Sequence, residues 1–158
     1  MVTNTAGAEE SAPEAAPEIT GAVASLPESA STNPGALGAQ QVPRLEITWD
    51  CGGCTPNPNV PPLILAEYAA EAESKGYTVS DAETAHLTIV IYRQRPPAAR
   101  VMFGFMAGRD VLHARLEFRG KATPVSDATA AAMRGMNSVA EGVGRRTLTQ
   151  MLVAKQDD

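Results

Sequence analysis

The chain has only two cysteines, and the stretch TWDCGGCTPNP (Thr48–Pro58) places them as Cys51 and Cys54. Two thiols at that spacing can do one of three things. They can exchange disulfides, if one of them is held as a thiolate. They can supply half of a zinc site, if two further soft ligands converge on them. They can also close a small loop as a structural disulfide, which sets geometry and does no chemistry. Only His86 and His113 offer further soft ligands, and their spacings fit no compact zinc finger. Each reads better as an exposed or hydrogen-bonded histidine, so no metal and no cofactor is expected. No Ser/His/Asp arrangement, phosphate-cradling glycine loop or metalloprotease motif offers another reaction.

A short strand, then Trp49, Cys51 and Cys54, then a helix is an order similar to that of the thioredoxin family, where a helix dipole stabilises the nucleophilic thiolate. The resemblance implies a thiol-disulfide oxidoreductase using Cys51 and Cys54. The chain departs from the family's pattern at two places. Asp50 separates Trp49 from Cys51, and a carboxylate beside a thiol disfavours the thiolate. The residues TPNPNVPP then separate Cys54 from any helix. The family's cis-proline segment has only Thr123-Pro124 as a forced counterpart. These neighbours favour a structural disulfide, with free buried thiols as the other inert state. A clip there fixes the exit of a strand and the angle of the following helix, and it implies an oxidising compartment.

The second unusual stretch is RVMFGFMAGRD, Arg100 to Asp110, which sets Val101, Met102, Phe103, Phe105 and Met106 between Arg100 and Arg109. It is too short to cross a bilayer. A basic-flanked apolar loop can still dip into a membrane or dock on a partner; the plainer reading is that it folds back as core. Between Arg93 and Lys121 there are seven bases (Arg93, Arg95, Arg100, Arg109, Arg115, Arg119, Lys121) against two acids (Asp110, Glu117), a net of +5. That predicts a basic belt in which Arg93, Arg95, Arg100, Arg109, Arg115 and Arg119, with Phe103 and Phe105, engage lipid head groups, a lipopolysaccharide, a glycan or nucleic acid. Nucleic acid fits least, because the belt lacks an aromatic-studded sheet or a recognition helix. A merely solvated basic face is the bland alternative.

These residues need a scaffold, and the domain is expected over 44–156. RLEITW alternates like a half-buried strand. Asn59 to Lys75 reads as a helix, with Pro61 and Pro62 in its first turn, Gly76 at its stop and a Glu71–Lys75 pair; Leu65, Ala69 and Ala72 are expected to face the core. GYTVS is a short extended piece. HLTIVIYR (His86–Arg93) is apolar on both faces, as in a central strand. VLHARLEFRG alternates strictly, with Leu112, Ala114, Leu116 and Phe118 on the buried face. Residues 126 to 137 read as loop or a helical turn. A final helix from Ser138 to Lys155 opens on a Ser138/Glu141 capping box and carries one apolar stripe, in which Gly144 permits close approach to the sheet. The order β-α-β-β-α predicts an α+β fold with a three- to four-stranded, mainly antiparallel sheet and two helices packed on one face.

Residues 1–43 differ in kind: 10 Ala, 5 Pro, five glutamates and neither Lys nor Arg. From Arg44 onward 13 acids balance 13 bases, so the acidity of the chain belongs to its first segment. That segment reads as a disordered tether, with too few large apolar residues to offset the entropy of ordering. No apolar run is long enough to span a membrane, and no basic then apolar leader stands at the N-terminus. The tether, HLTIVIYR, MFGFMAGRD leading into a strand, and SVAEGVGRRTLTQML together resemble the layout of small bacterial cell-envelope lipoproteins. The resemblance implies a non-enzymatic periplasmic domain, an accessory of a secretion, conjugation or other envelope assembly or of an anionic membrane surface. It also implies an N-terminal lipid; with no leader and no lipobox in these residues, either the chain is cytosolic or its signal and anchor preceded Met1, and the resemblance implies the second.

Overall fold

The computed structural model describes residues 37–131 and 133–156, apart from the side chains of Gly104 and Phe105. The tether expected over 1–43 lies outside the described residues as far as position 36. Its last residues do not, because strand β1 (Gln41–Trp49) starts three residues before Arg44. Pro43 hides this start in the sequence, since proline cannot donate to a ladder; β1 accommodates it by lying at the edge of the sheet.

The chain continues through α1 (Val60–Ser74), β2 (Thr78–Arg93), α2 (Pro97–Phe103), a 3-10 turn (Gly104–Ala107), β3 (Asp110–Phe118), β4 (Lys121–Thr129) and α3 (Gly135–Gln156). One sheet has the order β1-β2-β3-β4. β1 and β2 are parallel because α1 carries the chain back along the sheet before β2 begins. The other two pairings are antiparallel. The fold is therefore α+β, with a mainly antiparallel sheet and the two long helices on one face. Two elements correct the expected order: α2, and β4 where part of a loop was expected. β4 reads KATPVSDAT, and its Pro124 and Asp127 are breakers by composition. As an edge strand, β4 can hold both.

GYTVS and HLTIVIYR turn out to belong to one long strand, β2. It is central, yet only one of its faces is covered. Ala85, Leu87 and Ile89 are buried, whereas Ile91 is 51% exposed on the far side of a register shift between Ile89 and Ile91. β3 behaves as its alternation requires: Leu112, Ala114, Leu116 and Phe118 are buried, and His113, Arg115 and Glu117 are exposed.

In α1 the buried positions are Val60, Ile64, Tyr68 and Ala72, while Leu65 is 39% exposed and Ala69 is exposed. Ala72 thus faces the core as expected, whereas Leu65 and Ala69 give way to the residues before them, Ile64 and Tyr68. VPPLILAEYAA is apolar nearly all round, so its pattern does not fix the phase of the helix. Tyr68 fixes it, because its ring is buried and its hydroxyl donates to the Pro43 carbonyl of β1 at 2.9 Å. Burial pushes that phenol well above its ordinary pKa and keeps it a neutral donor. The helix stops as expected at Gly76: the Tyr77 amide donates to Ala72 O and the Gly76 amide to Glu73 O, at 2.9 Å each, a Schellman pair.

α3 begins a turn before Ser138, so the expected capping box does not form; Glu141 instead pairs with Arg134 at 3.1 Å. Its stripe is buried from Met136 to Met151. Gly144 does permit a close approach, but to α1 and not to the sheet. A Cβ at that position would stand 2.7 Å from the Ile64 carbonyl oxygen and 3.2 Å from the Tyr68 nitrogen. At its C-terminal end, α3 is tied to the start of β1. The Lys155 ammonium donates to the carbonyls of Gly38 (2.7 Å), Ala39 (2.8 Å) and Gln41 (2.7 Å), so each of its three protons has an acceptor.

Gly144→Ala sets two effects against each other. Alanine gains about 1 kcal/mol of helix propensity, but its Cβ overlaps backbone that cannot swing aside, and overpacking costs about 1–3 kcal/mol. The expected outcome is a lower urea midpoint for G144A with an unchanged slope, and a larger loss for G144V. A raised midpoint in G144A would contradict the close α1–α3 packing.

Candidate functional site

The two stretches singled out in the sequence meet at one end of the sheet. β1 leaves the sheet at Trp49, and the Asp50 amide donates to Ile89 O at 2.8 Å, which seats the cysteine loop beside the last residues of β2. Asn57 donates to the Gln94 side-chain oxygen at 3.1 Å, and the Tyr92 hydroxyl donates to the same atom. Trp49 packs edge-on against Tyr92, with ring centroids 5.3 Å apart. Partial burial pushes the Tyr92 phenol upward. Between the loop and α2 runs a shallow cleft of about 450 Å³, walled by Pro56, Asn57, Tyr92, Gln94, Pro96 and Pro97.

Cys51 and Cys54 form a disulfide, with Cα atoms 5.6 Å apart. Gly52 takes a positive φ of 62° inside the turn. The next helix, α1, begins only at Val60, so no helix N-terminus reaches either sulfur. The residue before Cys51 is the exposed Asp50, a charge that opposes thiolate formation. The arrangement can hold the exit of β1. It offers no activating group for a nucleophile. Among the described residues no three His, Cys, Asp or Glu side chains converge as metal ligands. His86 lies 3.6 Å from Glu46 on the open sheet face, and His113 is exposed.

The apolar stretch does not fold back as core. It forms α2 and the 3-10 turn, and α2 has no buried residue. Val101 (82%), Met102 (75%), Phe103 (60%) and Met106 (79%) are exposed. Phe105 lies outside the described side chains. α2 is short, but it stands on a built base. The Arg95 amide and guanidinium both donate to the Asp110 carboxylate, at 2.6 Å and 3.0 Å, and the same guanidinium donates to Ala131 O at 3.0 Å. Arg95 is 3% exposed and Asp110 0%.

The basic belt read from the sequence therefore does not exist as one surface. Arg95 is corrected from a binding residue to an internal one, because Asp110 and two carbonyls take its donors. Arg115 pairs with Glu117 at 2.9 Å on the open sheet face. Arg119 pairs with Glu83 at 2.8 Å and lies over the Phe118 ring, at the other end of β3. Arg100 turns inward: its guanidinium occupies the space where a side chain on Gly135 would stand, and its Nε is buried without a hydrogen-bond partner. Gly135 is required there twice over, by that contact and by a φ of 49°. Arg93 and Arg109 remain exposed, and neither has an ion pair among the described residues. Arg93 lies against Gly108, the residue before Arg109, so the two flank the exposed apolar segment. Counting charge along the chain finds all these arginines; it cannot tell which are neutralised by residues distant in sequence.

No protein-family model and no curated protein matches the sequence. Among solved structures the chain is similar to a ribosomal subunit interface protein from Coxiella burnetii, with a TM-score of 0.39 and 10% identity over 72% of this chain and 98% of that one. It is also similar to a dodecameric PelC variant from Paraburkholderia phytofirmans, with a TM-score of 0.44 and 14% identity over 75% and 92%. Likeness at this level says nothing about what the chain does.

Two measurements test the roles assigned to this end of the sheet. Asp110→Ala leaves a buried guanidinium unpaired and is expected to cost about 3–5 kcal/mol in urea unfolding, whereas an apolar replacement of both partners, R95M with D110L, recovers most of that loss. Equal losses in the single and double variants would contradict a buried pair. Replacing both cysteines by serine is expected to cost no more than about 2 kcal/mol, since the closed loop is short. The reduced pair is expected not to turn over a disulfide substrate; turnover would restore the oxidoreductase reading.

Proposed function

We propose that this domain is a non-enzymatic binding module of the bacterial cell envelope that docks on an anionic membrane surface through α2 and the following 3-10 turn. The observation that carries the reading is the exposure of Val101, Met102, Phe103 and Met106 on one short segment beside Arg93 and Arg109. A soluble surface rarely groups large apolar side chains without a use. The segment has the size to sit at the head-group level, about 5–10 Å deep, while the Arg95–Asp110 base stays behind as a rigid support. The Cys51–Cys54 disulfide is compatible with an oxidising compartment.

Magnitudes decide what kind of docking this is. Each arginine near an anionic surface contributes about 1 kcal/mol, and each apolar side chain fully buried about 1.5–3 kcal/mol. Partial insertion of four such side chains gives weak, reversible attachment, comparable to a single acyl chain, which does not hold a protein on a membrane by itself. The domain would therefore act near a membrane to which something else already confines it, as the proposed lipidated N-terminal segment would.

Co-sedimentation with phosphatidylglycerol-containing and purely zwitterionic vesicles tests this. Binding is expected only to the anionic vesicles, to weaken with salt, and to fall about tenfold or more in M102S/F103S and severalfold in R93Q/R109Q. These positions are exposed, so folding should be unchanged. Equal binding to both vesicle types, or no effect of either variant, would sink the membrane reading; capture of a soluble envelope protein by the same residues would replace it with a protein partner.

A further inference from the structure

The sheet ends at β1 in an edge that is open along most of its length. The Asp50 amide donates to Ile89 O of β2, so by the alternation of a strand the amides and carbonyls of Arg44, Glu46 and Thr48 face β2 as well. Those of Leu45, Ile47 and Trp49 then point out of the sheet, and among the described residues no loop or side chain takes them. Both ends of this stretch are closed. Pro43 has no N–H and its carbonyl is taken by Tyr68, and after Trp49 the chain turns into the cysteine loop. The opposite edge is different in kind: β4 has Pro124 at its middle, and its Ala128 amide is taken by the Asp127 side chain, devices that blunt an edge against pairing. On the open face beside β1, Arg44, Glu46, Thr48 and Asp50 are exposed, and Asp50 has no ion pair among the described residues.

We propose that this edge pairs with the same edge of a second copy of the chain, β1 against β1 about a two-fold axis at Ile47, so that one continuous sheet runs across a dimer. Such pairing is antiparallel, with the helices of both copies on the same face. The sequence selects the register, because outward residues must meet outward residues. With the axis at Ile47, Leu45 faces the partner's Trp49, and about six hydrogen bonds use every free amide and carbonyl of the stretch. Arg44 then stands opposite the partner's Asp50, once on each side of the axis. An axis at Glu46 would set two Glu46 carboxylates against each other, and an axis at Thr48 would set Glu46 against the partner's Asp50; like charges directly opposite are destabilising. An axis at Leu45 would spend Ile47 on the partner's Pro43, which offers no N–H and a carbonyl already in use. Arg44 now pairs with Glu46 at 2.9 Å and Asp81 at 3.6 Å on the surface, weak contacts that leave its guanidinium free to be shared.

The helix above the edge fits the same axis. α1 touches both β1 and β2, and strands stand about 4.8 Å apart, so the two copies of α1 would lie side by side at about 10 Å, the distance at which helices pack. α3 meets α1 at Ile64, Glu67 and Tyr68. Leu65 and Ala69 therefore lie on the side away from α3, toward the β1 edge, and both are exposed. A helix that is apolar all round belongs in a buried setting, and pairing through β1 covers the side that the single chain leaves bare.

Sedimentation velocity on the full oxidised chain tests the pairing. A dimer is expected to form as the concentration rises to about 100 μM. D50R and R44D each set like charges opposite one another and are expected to weaken the dimer about tenfold or more, whereas R44D/D50R exchanges the signs and should return it to within about threefold of the parent. These side chains are exposed, so folding should be unchanged. L65E is expected to weaken the dimer about tenfold through the α1 contact. Amide exchange supplies a readout that another interface would not give: Leu45, Ile47 and Trp49 become protected as the dimer forms, while Arg44, Glu46 and Thr48 are protected in the monomer too. A chain that stays monomeric to about 1 mM, a dimer indifferent to D50R and R44D, a charge exchange that fails to restore it, or protection appearing along β4 instead would overturn the proposal. The contact uses no residue of α2, so vesicle binding by the same samples reports separately on the docking of α2.

Discussion

Asp110 has no exposure to water, and the group that makes this tolerable is the almost equally buried guanidinium of Arg95. A buried carboxylate without a partner would cost several kcal/mol, so the two must be placed together before either can be enclosed. Their meeting joins four parts of the chain. Arg95 follows β2, Asp110 opens β3, and the remaining donors of Arg95 take the carbonyls of Thr129 at the end of β4 and Ala131 just before α3. The segment between Arg95 and Asp110 contains α2, none of whose apolar side chains is buried. Its position is therefore set at its two ends by this pair, with the Arg100 guanidinium filling the space over Gly135.

That arrangement separates support from display. The apolar side chains of α2 are free of any duty to the core, which is built elsewhere from the inner face of the sheet and the facing sides of α1 and α3. A change in Met102 or Phe103 touches nothing that holds the domain together. A change in Asp110 touches almost everything at that end of the sheet.

The sequence makes some of this legible and hides the rest for identifiable reasons. β3 could be read because one of its faces is wet, so its alternation is complete. The phase of α1 could not, because the helix is apolar nearly all round, and what decides it is a hydrogen bond from Tyr68 to a strand twenty-five residues earlier. β4 was hidden by Pro124 and Asp127, which matter less at an edge than in a central strand. At the candidate site, the exposed apolar residues were visible as a composition anomaly in RVMFGFMAGRD. The role of Arg95 was not, since a count of charges treats a buried partner and a surface cation alike. Nor did spacing show that the cysteine loop and α2 would lie side by side. That follows from the parallel pairing of β1 with β2, which brings the exits of both strands to the same end.

The same parallel pairing has a mechanical side. The chain joins the domain at the start of β1, where Lys155 holds the carbonyls of Gly38, Ala39 and Gln41, and α2 leaves from the far end of β2. A pull between a tether at the first point and a surface holding the second would act along the two strands in opposite senses. Every hydrogen bond of the β1–β2 ladder would then share the load, as threads do in a lap joint. Had the strands been antiparallel, with both attachments at neighbouring ends, the same force would open the ladder one bond at a time. The topology that gathers the site would thus also let the domain bear tension between the two attachments proposed above.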